Sequence, residues 1–148
     1  MQERKLMELA EAAGTIAIVG HVRPDGDCVG SCLAVCNYIT EQYPEKTVDV
    51  YLETPPVKFS YLKQFERICS DPETGKQYDL CICLDSGDRE RLGKNVVYLD
   101  TAKTSICIDH HITNQGYAAA NFVKADASAT CELLYDCLLY TSPSPRDA

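Results

Sequence analysis

The chain has 148 residues, 45% of them hydrophobic and 24% charged, which is enough for one domain with a buried core. Its formal net charge of −8 argues against a surface that grips duplex nucleic acid, a task that calls for a basic face. No run is long and apolar enough to span a bilayer, and the mixed-charge stretch from Met1 to Ala13 lacks the apolar core of a signal peptide. A cytoplasmic protein without a membrane partner is therefore expected.

Residues 2 to 13 place Leu6, Leu9, Ala10 and Ala13 on one side of a helix. Thr15 to Gly20 (TIAIVG) is a short, β-branched apolar run and reads as a buried strand. His21 to Asp27 is a polar loop. Helical period returns from Val29 to Tyr43, where Pro44 stops it. Thr47 to Leu52 alternates and gives a second strand. After Pro55-Pro56, Phe59 to Arg67 reads as a short helix and Asp71 to Gly75 as a turn. Tyr78 to Leu84 (YDLCICL) is a third strand, apolar and central. Asp88 to Leu92 starts a helix that Gly93 closes. Val96 to Leu99, Ser105 to Ile108 and Ala120 to Val123 are further strands, and Ser128 to about Tyr135 is helical. Strands alternating with helices predict an α/β fold, a mostly parallel sheet with helices on both faces.

Nine cysteines raise the question of disulfides or zinc, and their spacing argues against both. Cys28, Cys32 and Cys36 recur every fourth residue as a helical stripe, Cys81 and Cys83 share one face of a strand, and no C-x-x-C pair occurs. Small, buried, reduced thiols in a core are expected.

Three polar clusters follow apolar strands: His21-Val22-Arg23-Pro24-Asp25-Gly26-Asp27, then the single carboxylate Asp85, then Asp109-His110-His111. Open α/β sheets place ligands at strand C-termini, so these residues are candidates for one shared site. Imidazole and carboxylate donors from several strand ends suit hard or borderline divalent cations. Asp25 and Asp27, two apart around Gly26, can address two neighbouring metals, and a carboxylate such as Asp85 behind a buried strand is costly unless a cation compensates it. The ordinary reading stays open beside this one. Asp25 or Asp27 would cap the next helix, His21 would be a loop histidine, and Asp85 would be a turn aspartate. Asp88 suits a cap, and Arg89 and Arg91 suit surface ion pairs. His110 reads as a metal ligand and His111, which must diverge from it, as a phosphate contact or proton donor. Asp109 would orient an imidazole from behind, and Asn114 would brace the loop. All three histidines of the chain fall in these clusters. An acidic chain with metals in such a site would act on small or short phosphate esters.

The ordered set H-V-R-P-D-G-D-C-V-G-S, L-D-S-G-D and I-D-H-H-I-T-N resembles the DHH phosphoesterase superfamily over residues 1 to 136. Within it, the chain is most similar to the branch of bacterial nanoRNases that also dephosphorylate 3′-phosphoadenosine 5′-phosphate (pAp). That resemblance implies a Rossmann-like domain and two Mn²⁺ ions. His21, Asp25 and Asp85 would hold one, and Asp27, Asp85 and His110 the other. It also implies short RNA oligonucleotides or a small nucleotide as substrate, and a homodimer as one arrangement of the complete protein. Cyclic-dinucleotide phosphodiesterases and pyrophosphatases share the outline and are the alternatives.

The family's further metal-binding aspartate, in a D-T-G-like motif, and its glycine-rich C-terminal substrate domain have no counterpart here. Asp126 reads instead as a cap for the last helix. The run from Cys137 to Asp147, CLLYTSPSPRD, resembles the translation of a sequencing-library adapter, the alternative being a natural Ser/Pro-rich tail. On this reading residues 1–136 are an incomplete DHH domain and residues 137–148 are non-native. For the fragment by itself, a non-catalytic metal-binding remnant is the further alternative.

Overall fold

A computed structural model describes residues 2–71 and 75–132, with the side chains of residues 2–4 left aside. The tip of the expected Asp71–Gly75 turn, the rest of the helix expected from Ser128 to about Tyr135 and the segment 137–148 lie outside the described residues. The expected strands other than Val96–Leu99, joined by a short edge strand, form one sheet. It contains β1 (Thr15–Val19), β2 (Thr47–Tyr51), β3 (Ile68–Cys69), β4 (Leu80–Leu84), β5 (Thr104–Asp109) and β6 (Ala120–Val123), in the spatial order β3-β2-β1-β4-β5-β6. Every neighbouring pair is parallel. This is the doubly wound order of dinucleotide-binding folds, in which strand order reverses beside β1 and opens a crevice at the strand C-termini. That crevice lies between β1 and β4, and the two strands pair from Ile16↔Leu80 to Val19↔Cys83.

Parallel strands cannot be joined by hairpins, so both faces are covered by the connections. On one face Ile16, Ile18, Val48, Val50, Leu80, Ile82, Leu84, Ile106 and Ile108 pack against α1 (Gln2–Ala12) and the buried stripe of α2 (Gly26–Gln42), including Cys28, Cys32 and Cys36. On the other, Ala17, Val19, Tyr51, Tyr78, Cys81 and Cys83 pack against Leu92 and against Tyr98 and Leu99 of α3 (Val96–Thr101). The tyrosines there form one unit. Tyr51 stacks on Tyr98 at 4.0 Å between centroids, and its hydroxyl meets that of Tyr78 at 2.5 Å. All cysteines among the described residues are free, and most are buried.

Three expectations are corrected. Val96 to Leu99 is helical, because parallel β4 and β5 need a crossover between them and this segment supplies it. Its β-branched composition alone does not separate helix from strand. Phe59 to Arg67 is not one helix. Two 3₁₀ turns, Val57–Phe59 and Phe65–Arg67, flank a link in which Gln64 takes φ 67°, and the chain then adds the short edge strand β3. Gly93 ends its helical turn as expected: with φ 59° and ψ −136° it is non-helical within Glu90–Asn95 and separates the first 3₁₀ turn from the turn that leads into α3 (Val96–Thr101). Finally α2 begins at Gly26, three residues before the expected Val29, so Asp27 lies inside its first turn. No helix among the described residues is long and apolar enough to cross a membrane.

Candidate metal centre

The β1–β4 crevice gathers the three sequence clusters. His21 leaves the end of β1, Asp85 ends β4, and His110 follows β5. Asp85 is 3% exposed and takes the left-handed φ of 58°, which turns the chain sharply out of the sheet. Such strain at a non-glycine residue costs about 1–3 kcal/mol and clusters at functional sites. The turn places one carboxylate oxygen on each side. Oδ2 lies 3.3 Å from His21 Nε2, and Oδ1 lies 3.5 Å from His110 Nε2. Asp25 Oδ1 stands 3.7 Å from His21 Nε2, and Asp27 Oδ2 stands 3.7 Å from His110 Nε2. The structure thus brings His21, Asp25 and Asp85 together on one side, and Asp27, Asp85 and His110 on the other.

The helix-cap reading of this loop holds as well. Asp25 is the N-cap of α2, and its Oδ1 accepts the Cys28 N–H at 3.0 Å. Asp27 does more than face His110. Its two oxygens accept the N–H groups of Thr130 (2.9 Å) and Cys131 (2.9 Å), so Asp27 caps the helical turn that begins there, the role expected of Asp126. The hydroxyl of fully buried Thr130 donates to Asp85 Oδ1 at 2.9 Å. Thr130 and Cys131 were invisible as site residues in the sequence, being 103 and 104 positions from Asp27 and carrying no motif.

Electrostatics mark the cluster as short of positive charge. The hydrogen bond to Asp85, with a second to Cys28, pushes the His21 imidazole up to about 11 against the cost of burial. Burial raises the Asp85 carboxyl, and the neighbouring Asp27 adds to it while His21 opposes. Burial also pushes on Asp27, but the N–H groups of Cys131 and Thr130 outweigh it and hold that carboxyl below the usual range. A proton on His21 therefore stands where a cation would serve better. The donor chemistry fits a metal: His21 Nδ1 lies 2.6 Å from the Val22 carbonyl, which fixes the proton there and leaves Nε2 to face Asp85. Two triads among the described residues keep their donor atoms within 4.8 Å of one another: His21, Cys28 and Asp85, and Asp85, His110 and His111. Cys28 is the member that sequence reading assigned to the core.

Behind the second triad, fully buried Asp109 accepts from His111 Nδ1 at 2.6 Å and from Asn114 Nδ2 at 2.9 Å. Asn114 Nδ2 also reaches the Ser86 carbonyl at 3.3 Å, and its Oδ1 accepts the Gly116 N–H, so it braces the loop. The His111 side chain remains 39% exposed, and Nε2 is the ring nitrogen that Asp109 leaves free. Beside it a cavity of about 500 Å³ is lined by Gly87, Asp88, Arg89, Glu90, Thr113, Gln115 and Tyr117. Arg89 is tied to Asp100 at 2.6 Å, and Asp88 accepts the Arg91 N–H, as the ordinary reading of these residues had it.

A doubly wound parallel sheet with a histidine–carboxylate cluster at its switch point defines an α/β protein built around a candidate metal centre. The chain belongs to the DHH family: residues 15–147 match its N-terminal domain. It is 30% identical over 133 residues to the probable bifunctional oligoribonuclease and PAP phosphatase NrnA of Streptococcus mutans, a match covering 90% of this chain and 41% of that protein. It is 31% identical over 125 residues to the bifunctional oligoribonuclease and PAP phosphatase NrnA of Bacillus subtilis, covering 84% of this chain and 38% of that protein. The chain thus spans about two fifths of the length of these curated relatives. Among solved structures, an exopolyphosphatase-related protein from Bacteroides fragilis shares the fold with a TM-score of 0.86 at 23% identity, over 95% of this chain and 44% of that one.

Proposed function

We propose that this chain carries the metal-binding, phosphoester-cleaving half of a hydrolase that acts on short oligoribonucleotides and on pAp. The observation that supports it most strongly is the placement of Asp85, whose two oxygens separate a His21–Asp25 group from a His110–Asp27 group. The two NrnA relatives, named as oligoribonuclease and PAP phosphatase, support the substrate class.

On this reading His21, Asp25 and Asp85 hold one Mn²⁺, and Asp27, Asp85 and His110 hold another. Bound there, the ions neutralise phosphoryl oxygens and make water a usable nucleophile near neutral pH. The remaining work belongs to the chain. Asp85 keeps the two positions adjacent. Thr130, donating to Asp85 Oδ1, and the backbone N–H groups on Asp27 fix the direction of those carboxylates. Asp109 holds the His111 ring by Nδ1, so that Nε2 can contact a phosphoryl oxygen or hand a proton to the departing one. The cavity beside His111 offers room for the rest of a nucleotide.

The test is phosphate release from pAp and mononucleotide release from an RNA dinucleotide, each with Mn²⁺ supplied. Turnover of both that disappears in Asp85→Asn is the expected result. Metal binding without release from either substrate would overturn the assignment.

A further inference from the structure

The His21 and His110 positions differ in the side chains packed around them. We infer that the Cys28 sulfur is a donor at the His21 position, making it a mixed nitrogen, oxygen and sulfur site for a thiophilic divalent cation such as Zn²⁺, while the His110 position remains a nitrogen and oxygen site. The inference rests on the metal-centre reading and deepens it.

Three observations carry it. First, Cys28 Sγ, a His21 ring nitrogen and an Asp85 oxygen all lie within 4.8 Å of one another, and all three residues are buried. Second, the sulfur is directed at the strand end that carries His21. A Cβ built on Gly20 would meet Cys28 Sγ at 2.5 Å, so only glycine at the residue before His21 leaves the sulfur that place. Third, the site already has its open side. The Asp25 side chain is 67% exposed and reaches His21 from solvent, whereas Cys28 is 0% exposed and closes the inner side. The corresponding triad around His110 contains Asp85 and His111 and no sulfur.

The chemistry separates the two. Thiolate and imidazole suit Zn²⁺ and other borderline or soft cations, while carboxylate with imidazole accommodates Mn²⁺. Loading the His21 position forms a metal–sulfur and a metal–nitrogen bond and releases to solvent the protons that the thiol and the imidazole Nε2 carry, so uptake there is favoured by rising pH. Three protein donors plus Asp25 would complete four-coordination, the number Zn²⁺ prefers.

The test uses Co²⁺ alone, titrated into the full chain under a non-thiol reductant and read by absorption. A near-ultraviolet sulfur-to-cobalt charge-transfer band, growing with the visible d–d bands, is expected. In Cys28→Ser the charge-transfer band should vanish while visible bands persist, and Zn²⁺ affinity should fall by about tenfold or more. Cys69→Ser, on the edge strand β3 and outside both triads, should keep the band. Visible bands without charge transfer in the unsubstituted chain, or a band that survives Cys28→Ser, would overturn the sulfur assignment and leave the metal centre standing. Absence of any cobalt spectrum would overturn both. Should Cys28→Ser fail to fold, X-ray absorption of the Zn²⁺-loaded natural sequence decides the matter, through a sulfur scatterer at about 2.3 Å or a shell of nitrogen and oxygen only.

Discussion

Asp85 divides the site into two poles that differ in almost every physical respect. The His21 pole is buried, sits against Cys28, and is held by a backbone carbonyl. The His110 pole is partly exposed and has the Asp109–His111 pair behind it, and a cavity of about 320 Å³ opens on the His21 side, lined by His21, Glu53, Gly93 and Asn95 among others. The poles thus differ in burial and in donor atoms, with a sulfur beside one and not the other. A symmetric list of ligands from the sequence conceals that difference.

The largest expected effect comes from removing the divider. Asp85→Asn should weaken metal binding at both poles, by about a hundredfold or more, measured by titration with Mn²⁺ and Zn²⁺. Retention of one pole at full affinity would show that Asp85 does not bridge. Next, if His111 contacts substrate as proposed, His111→Ala should lower kcat about a hundredfold while metal affinity changes little. Asp109→Asn should give a smaller fall of the same kind, with an altered pH profile, since the ring loses its fixed tautomer. A matching loss of metal affinity in both would make His111 a ligand instead.

Gly93→Ala attacks the other pole from outside. Its φ of 59° and the 2.6 Å approach of a new Cβ to Val22 Cγ1 predict a loss of about 1–3 kcal/mol in denaturant unfolding. Val22 is the residue whose carbonyl holds His21, so Zn²⁺ affinity should drop with it and Mn²⁺ affinity less. Thr130→Val removes the hydroxyl on Asp85 Oδ1 and should cost about 1 kcal/mol, a shift readable in the urea midpoint.

The smallest effect serves as the control, at the opposite end of the sheet. Asp79 accepts the Gly14 N–H and pairs with Lys103, which holds its carboxyl below the ordinary value. A depressed folded pKa means the contribution is full above the unfolded value and is lost as pH falls through the folded one. Asp79→Asn should therefore flatten the acid limb of a stability–pH curve and leave both metal affinities unchanged.

Much of this was legible in the sequence, for a definite reason. Each motif follows a short β-branched run such as TIAIV or SICI, and such runs in a parallel sheet are buried on both faces and read clearly. Register then brings His21, Asp85 and His110 to one edge. What was not legible depended on contacts between distant residues. Val96–Leu99 became a helix because β4 and β5 are parallel neighbours, a fact of topology that no local window contains. Thr130 and Cys131 reached Asp27 across the fold. Cys28 was read as one member of a helical stripe, which it is, but the first position of that stripe also faces a strand end.

Asp85 carries a last consequence. In its left-handed backbone conformation glycine would be the relaxed residue, and a sequence selected for melting temperature alone would be expected to place one there. The carboxylate is kept in a posture the backbone resists, beside another carboxylate, so the ion-free protein is the less comfortable state. Its full thermal stability should belong to the loaded form, and the rise in Tm on adding metal would report how far the ion relieves that tension.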